Sequence, residues 1–304
     1  MPFFGVCYSP YHRTNSPPPH DIPAAEVDAD MKIIKARGFT NIRTYAAGSG
    51  DSHNVARAGK YGLKVGLGVW IDNNVPNNTL IDQALTQALD DTFAHPGANT
   101  VADLIIGNEV NRTDDKAPLD PAVILNYIKY AKQQLQLSQY AAIRSIRVTS
   151  CFSGTVLQFD SPVSAPWANV IDNCDGVVYL TVYPWYAKKN EGAPSPDNIT
   201  NNMNWSWDNG LKQVVARGKK IVIAEIGWPS AGGDNDHSPT TPDNERINYQ
   251  TTKRFLSGAT APHWALDTYW FEMFDEPWKT KEGAWGPHWG LYTSGLNPQP
   301  KFAF

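Results

Sequence analysis

The stretch VADLIIGNEV, residues 101–110, runs from a continuous apolar segment directly into Gly107, Asn108 and Glu109. An apolar run of this kind is typical of a strand buried on both faces, as in parallel sheets covered by helices. The glutamate at its end has two interpretations. It is either a solvated residue just past the strand or a carboxylate held at the mouth of a cavity.

Seven other segments combine apolar, β-branched and aromatic residues in the same way. They are FFGVCYS (3–9), NIRTYAA (41–47), LKVGLGVWID (63–72), SIRVTSCF (145–152), GVVYLTVYPWY (176–186), KKIVIAEIGWPS (219–230) and LDTYWFEMFDEPW (266–278). The segments with helical spacing are 24–37, 51–61, 79–94, 121–137, 162–173, 207–217 and 243–257. Strands alternating with helices indicate parallel βαβ units. Eight such units predict an α/β fold, a (β/α)8 TIM barrel, with residues 1–304 as one domain and no large inserted subdomain.

The alternative fold is an open α/β sheet, which usually carries a glycine-rich phosphate-binding turn after its first strand. Here the first strand leads into the proline-rich segment SPYHRTNSPPPHD (9–21), which contains no glycine. The long polar segments 13–21, 187–198 and 229–244 all follow strands. Loops after the strands of a barrel form its catalytic face, so we predict an active site among them.

Charge and composition exclude several classes of function. The formal net charge is −4 and no basic run occurs, so nucleic acid is not an expected partner. No stretch approaches the roughly 20 apolar residues of a membrane-spanning helix. The 11 tryptophans, 13 tyrosines and 11 phenylalanines are either parts of a large core or platforms that stack on sugar rings.

Metal, cofactor and serine-nucleophile chemistry lack support in the sequence. The 7 histidines form neither a His-x-His nor a His-Glu-x-x-His pattern, and we expect no metal and no cofactor. Ser153 lacks the glycine-flanked elbow of serine hydrolases. Cys7, Cys151 and Cys174 are too few for a disulfide scaffold, and we predict three free thiols.

Two glutamates end facing strands of the predicted barrel. Glu109 follows the fourth run, and Glu225 lies near the end of the seventh, within IVIAEIGWPS. In an eight-stranded ring these positions lie across the barrel mouth from each other. A proton donor and a nucleophile on opposite sides of one sugar carbon are what a retaining glycosidase needs. The sequence therefore predicts Glu109 and Glu225 as a catalytic pair.

Several motifs in order give the chain a resemblance to a known family. They are GVCYSPY (5–11), IRTYAA (42–47), IIGNEV (105–110), VYPWY (182–186), IAEIGWPS (223–230), FEMFDEPWK (271–279) and HWGLY (288–292). Together they resemble glycoside hydrolase family 17, and within it the fungal cell-wall branch of β-1,3-glucanases and β-1,3-glucanosyltransferases. The resemblance covers nearly the whole chain and implies a TIM barrel with a retaining mechanism.

The resemblance also implies roles for individual residues. Glu109 is implied as the general acid/base and Glu225 as the nucleophile. Asn108 is expected to hold the 2-hydroxyl of the sugar beside the cleaved bond. Tyr183 is expected to hydrogen-bond the nucleophile.

Other implied residues are expected to contact the substrate. Tyr8 and Tyr45 would line the sugar beside the cleaved bond. Glu276 and Lys279 match an acid and a base of the family motif, although a salt bridge that positions the loop is an equal alternative. The aromatic platforms expected for acceptor sugars, each with core packing as the alternative, are Trp185, Tyr186 and Trp228.

The chain departs from the family pattern at two positions. Ile226 follows the nucleophile where the family usually has threonine, which we expect to be harmless. Gly286 stands where a carboxylate often precedes the final aromatic motif, with Glu282 nearby. The second departure puts the polar network beneath the nucleophile in doubt.

The sequence thus predicts a β-1,3-glucanosyltransferase with endo-β-1,3-glucanase activity. The alternatives are a glucan-binding wall protein without catalysis and a barrel glycosidase acting on β-1,4-glycans. We expect a secreted or cell-wall monomer, although MPFFGVCYSP (1–10) is not a signal peptide. β-1,3-Glucan or its oligosaccharides are the expected partners.

Overall fold

The computed structural model describes residues 1–71, 77–112, 119–154, 157, 164–186, 196–233 and 239–303. Eight strands lie within these ranges. They are β1 (Phe4–Cys7), β2 (Asn41–Arg43), β3 (Lys64–Val69), β4 (Val101–Ile106), β5 (Arg147–Ser153), β6 (Val177–Thr181), β7 (Lys220–Ile226) and β8 (Asp267–Trp270). Each strand pairs in parallel with the next, and β8 pairs with β1, so the sheet closes into a barrel.

Helices cover the outside of the barrel. They are α1 (Ala24–Ala36), α2 (Asn54–Lys60), α3 (Asn77–Ala94), α4 (Pro121–Leu135), α5 (Ala165–Asp172), α6 (Pro196–Ser206), α7 (Lys212–Ala216) and α8 (Pro242–Phe255). Closed parallel strands with helices between them confirm the predicted (β/α)8 fold class. Within the ranges given above, none of the helices is both long and apolar enough to cross a membrane.

One helix was not predicted. Helix α6 begins at Pro196, at the end of the polar segment 187–198 that composition assigned to a loop. Proline is well suited to the first turn of a helix, where its missing N–H has no partner to lose. Ile199 and Met203, four residues apart on one helix face, are both buried and anchor α6.

Two other segments differ from prediction in their backbone. The predicted helix 207–217 is a π-helical turn, Trp207–Leu211, followed by the short helix α7. The predicted run 266–278 is a strand only over β8. The rest of that run is a buried loop that contributes carboxylates to the catalytic face, which explains why its apolar residues looked like a longer strand.

The lower part of the barrel is filled by polar and aromatic side chains. A Cβ atom on Gly66 of β3 would lie 3.2 Å from the Tyr179 hydroxyl and 3.3 Å from the Tyr269 hydroxyl, so glycine leaves room for both tyrosines. The Tyr179 hydroxyl donates to Asp103, which also pairs with Arg147 at 2.6 Å. The floor is therefore occupied, and the functional side chains lie at the carboxyl ends of the strands.

The three cysteines are free and buried, as predicted. Cys7 on β1 and Cys151 on β5 lie near the charged groups at the barrel mouth, while Cys174 follows α5. Burial raises the pKa of all three thiols, that of Cys151 to about 12. They are therefore neutral, apolar parts of the core.

Candidate active site

The backbone after β4 turns Glu109 towards the barrel axis. Glu109 has a φ of +47°, a left-handed conformation that is uncommon for a residue with a side chain. The next residue is held in place because Val110 N–H donates to the Cys151 carbonyl of β5. Conformations of this kind cost about 1–3 kcal/mol and persist at functional sites where the surroundings enforce them.

The Glu109 carboxyl has a partner on each oxygen. The Thr181 hydroxyl donates to Oε1 at 2.5 Å, and Arg112 Nη1 donates to Oε2 at 2.7 Å. Burial raises the pKa of Glu109, the negative charge of Glu225 raises it further, and Arg112 lowers it. A carboxyl with a raised pKa is suited to donate a proton near neutral pH.

Glu225 lies on β7 and is almost fully buried. Arg43 Nη1 donates to its Oε1 at 2.5 Å, and the Tyr183 hydroxyl donates to its Oε2 at 2.6 Å. The tyrosine contact is the one that the family resemblance implied. A guanidinium and a hydroxyl on separate oxygens fix the orientation of this carboxylate, as a nucleophile requires.

Arg43 is a central site residue that the sequence analysis missed. It is buried, it contacts Glu225, and its Nη2 donates to Asn108 Oδ1 at 2.5 Å. Since arginine has only donors, the Asn108 amide must turn its oxygen to Arg43 and its NH2 group elsewhere. Asn108 is thereby set as a donor beside the acid, which agrees with its expected contact to a sugar hydroxyl. The available signal was a lone arginine within the apolar run NIRTYAA.

The two tyrosines expected at the sugar lie in different environments. Tyr45 is half-buried, and its ring lies 4.7 Å below the Arg43 guanidinium carbon. Tyr8 is fully buried, and its hydroxyl donates to Asp30 of α1 at 2.8 Å. Cys7 ends β1 and its thiol donates to the Ala224 carbonyl of β7, whereas Tyr8, the residue after the strand, is directed to α1. Tyr45 thus lies at the site, whereas Tyr8 is buried against α1, and its implied role at the sugar stays a prediction.

Glu276 and Lys279 form a buried ion cluster with Glu272, which the sequence analysis did not single out. Lys279 Nζ lies 2.5 Å from Glu276 Oε2 and 3.1 Å from Glu272 Oε2. Ser9 and Trp278 donate to the other oxygen of Glu276. With both charges buried and paired with each other, the observed contacts favour the salt-bridge alternative over substrate binding for Glu276 and Lys279.

The charges of this cluster shift each other's protonation. Burial and then the charge of Glu276 raise the pKa of Glu272. Burial alone would raise the pKa of Glu276, but Lys279 and the hydrogen bonds to Glu276 outweigh it and lower that pKa. Glu272 therefore holds a proton more readily, and Glu276 is the ionised partner of Lys279.

The predicted aromatic platforms divide into two groups. Trp185 is fully buried and packs against Trp285 and Trp289, with ring centroids 5.1 and 5.4 Å away. Trp228 is 2% exposed, and its indole N–H donates to the Pro239 carbonyl. Burial favours core packing for these two. Tyr186, with 48% of its surface exposed, is the aromatic residue of this group that a sugar can reach.

The two departures from the family pattern have structural explanations. Ile226 is fully buried, so an apolar residue suits its position. A Cβ atom on Gly286 would lie 2.1 Å from the Lys279 carbonyl oxygen, which no side chain tolerates. A carboxylate is therefore excluded from position 286 without a backbone shift. Arg43 and Tyr183 hold the Glu225 carboxyl instead.

Comparisons with known proteins find similar glycoside hydrolases. A sequence profile of the BtgE/BtgC glycoside hydrolase domain matches residues 5–290. A relative from Aspergillus terreus, named probable glucan endo-1,3-beta-glucosidase btgC, is 26% identical over 97% of this chain. The chain spans 44% of that relative's length.

Solved structures share the fold. An endo-laminarinase from Formosa superposes with a TM-score of 0.77 at 20% identity, covering 96% of this chain and 83% of that one. A glycoside hydrolase family 17 beta-1,3-glucanosyltransferase from Rhizomucor miehei has a TM-score of 0.68 at 23% identity, covering 99% and 97%. At these identities the likeness establishes the barrel architecture and no more.

Proposed function

Because the chain belongs to the BtgE/BtgC glycoside hydrolase domain family, we propose that it is a retaining β-1,3-glucanosyltransferase with endo-β-1,3-glucanase activity. The observation that carries the proposal is the electrostatic interaction between the carboxyls of Glu109 and Glu225. Burial raises the pKa of Glu109, and the charge of Glu225 raises it further. Glu225 is oriented by Arg43 and Tyr183. One carboxyl is suited to donate a proton while the other attacks.

The proposed reaction has two steps. In the first, Glu225 attacks the anomeric carbon and Glu109 protonates the departing sugar oxygen, which gives a covalent glycosyl-enzyme. In the second, Glu109 removes a proton from an incoming hydroxyl, which attacks the same carbon and releases Glu225. Water as the incoming group gives hydrolysis, and a sugar hydroxyl gives transfer to a longer chain.

Two observations support the proposed substrate and the transfer reaction. The named relative is a probable glucan endo-1,3-beta-glucosidase, and one structure with the same fold is a beta-1,3-glucanosyltransferase. The ring of Tyr186 is exposed and lies close enough to Glu282, Arg112 and Glu109 to interact with their charges. Sugars stack well on exposed aromatic rings, so Tyr186 favours a sugar acceptor. A polysaccharide substrate lies outside the cell, and we therefore also propose a secreted or wall-bound location.

The test is a time course of products from a laminari-oligosaccharide of defined length. Products longer than the substrate, together with shorter ones, are expected from a glucanosyltransferase. Shorter products alone would remove the transfer activity from the proposal. Cleavage of a β-1,4-linked oligosaccharide without cleavage of laminarin would identify the β-1,4 alternative, and cleavage of neither would favour a glucan-binding protein without catalysis.

A further inference from the structure

Arg112 occupies a defined position beside the proposed acid. It lies three positions after Glu109, and its backbone N–H donates to the Glu109 carbonyl at 3.0 Å. The Arg112 guanidinium also contacts the Glu109 side chain, with Nη1 2.7 Å from Oε2. The Arg112 side chain is 41% exposed and that of Glu109 is 15% exposed. The pair therefore lies at the rim of the site, with its carboxyl end inside.

The hydrogen bonds around Glu109 depend on its charge. The ionised carboxylate accepts one bond from Thr181 and one from Arg112. A hydroxyl can turn and either donate or accept, but a guanidinium only donates. Protonation of Glu109 removes the charge that attracts Arg112, whereas Thr181 can remain bonded in both states. Arg112 is thus the partner that distinguishes the ionised form from the protonated form.

Other groups that face Glu109 come from several elements. Glu225 on β7 adds a negative charge, and the neutral groups are Cys151 on β5 and Tyr183 and Tyr186 after β6. From the loop after β8, Glu282 interacts electrostatically with Arg112. Of the described groups that act on the Glu109 carboxyl, Arg112 supplies the positive charge, and it opposes Glu225.

We propose that Arg112 is a positioning residue that pairs with the ionised form of Glu109 and sets the pH at which this carboxyl changes from acid to base. The inference rests on the proposed function, because it concerns the acid of the first step. Pairing in the ionised form also fixes Glu109 in the orientation it needs as the base of the second step. The charge of Arg112 thereby helps the same carboxyl to donate a proton in the first step and to remove one in the second.

The first test is the pH profile of kcat/KM for laminaripentaose. Glu109 must be protonated to donate, so the rate falls as pH rises through its pKa, and a nearby positive charge lowers that pKa. Arg112→Met should therefore move the alkaline limb to higher pH, by about one unit at low ionic strength, since the exposed pair is partly screened. Arg112→Lys should restore most of the wild-type profile. The difference between Arg112→Met and wild type should shrink as salt is added.

A matched control removes an equivalent ion pair far from the site. Arg246 pairs with Asp243 at the same three-residue spacing and 2.6 Å, on the outer helix α8. Arg246→Met should leave the alkaline limb where it is in the wild type. An unchanged limb in Arg112→Met, or an equal shift in Arg246→Met, would overturn the proposal.

A second measurement does not depend on activity. The ¹³C resonance of the Glu109 carboxyl, assigned by its loss in Glu109→Gln, can be titrated in the folded protein. Its midpoint should be higher in Arg112→Met than in the wild type, and an unchanged midpoint would overturn the proposal even if that variant were inactive at every pH. Because this titration needs no substrate, it also separates failure of the Arg112 inference from failure of the proposed reaction.

Discussion

Arg43 places a buried positive charge between two groups of the proposed mechanism. Its two terminal nitrogens reach Glu225 and Asn108, and Nη1 also lies 3.3 Å from the Ala224 carbonyl. Removing a buried partner of this kind leaves the other charge unpaired in a medium that solvates it poorly. Arg43 is therefore expected to matter for both the stability of the fold and the orientation of Glu225.

Arg43→Met should lower kcat at least about 100-fold, since the nucleophile loses orientation and charge stabilisation. It should also lower the free energy of unfolding by on the order of 3–5 kcal/mol. Both are measured by laminari-oligosaccharide kinetics and urea denaturation. The control is Arg147→Met, which removes the half-exposed guanidinium that pairs with Asp103 at the barrel floor. This substitution should leave kcat unchanged. Equal losses of kcat in the two variants would contradict a specific role for Arg43.

Tyr183→Phe removes the tyrosine hydroxyl that donates to Glu225 Oε2 and leaves the rest of the side chain in place. Loss of one hydrogen bond to a charged group costs about 1.5–3 kcal/mol, so kcat/KM should fall by roughly 10- to 100-fold. The fold should be retained, because the ring contacts with Phe271 and Trp289 remain. Tyr130→Phe is the matched control, since its hydroxyl donates to Asp82 on the outer helices. Wild-type kcat/KM in Tyr183→Phe would show that this contact has no role in catalysis.

At the scale of elements, strand β6 joins the layers of the barrel. Alternate residues point to one face of a strand. Tyr179 bonds Asp103 at the floor, Thr181 bonds Glu109, and Tyr183, just past the strand, bonds Glu225. One face of β6 therefore supports both the floor and the two proposed catalytic carboxyls. The register of β6 fixes the heights of these carboxyls along the barrel axis.

The loop after β8 carries the buried cluster of Glu272, Glu276 and Lys279. Glu272 has a raised pKa in the folded chain, so its stabilising contribution is complete below its unfolded pKa and is lost as pH rises through the folded value. Glu272→Gln imitates the neutral form and should therefore reduce the loss of stability as pH rises above the unfolded pKa of Glu272. Urea midpoints from acidic to alkaline pH measure this effect.

The control for this prediction is Asp243→Asn, which neutralises a carboxylate whose side chain is 69% exposed. Asp243→Asn should lose stability as steeply as the wild type when pH rises. If Glu272→Gln also lost stability as steeply as the wild type when pH rises, Glu272 would already be ionised in the folded protein at neutral pH.

Prediction from sequence succeeded where a local pattern carries the information. Buried parallel strands are continuous apolar runs, and the residue that ends such a run lies on the catalytic face, so Glu109 and Glu225 could be located. Arg43 could not, because its partner Glu225 is 182 residues away and no local pattern joins them. Thr181 and Glu272 were missed for the same reason. The contact of Tyr8 with Asp30 of α1 could not be predicted either, because a motif does not show which way its side chains are directed.

At the scale of the whole molecule, closure of the barrel brings the proposed catalytic residues together. The pairing of β8 with β1 completes the ring and places β7 three strands from β4. Arg43 of β2 then reaches Glu225 of β7 across the interior. The proposed active site is therefore a property of the closed sheet, and no isolated βαβ unit of this chain contains it.

The central claim is that Glu225 is the nucleophile and Glu109 the acid/base of a retaining reaction. Its most direct test is azide rescue of Glu225→Ala and Glu109→Ala with a β-laminaribioside that carries an activated aryl leaving group. In Glu225→Ala, azide should replace the lost carboxylate and give an α-glycosyl azide. In Glu109→Ala, the activated substrate should still form the glycosyl-enzyme, and azide should then release a β-glycosyl azide. The β-azide from Glu225→Ala and the α-azide from Glu109→Ala would contradict the assignment of the two roles.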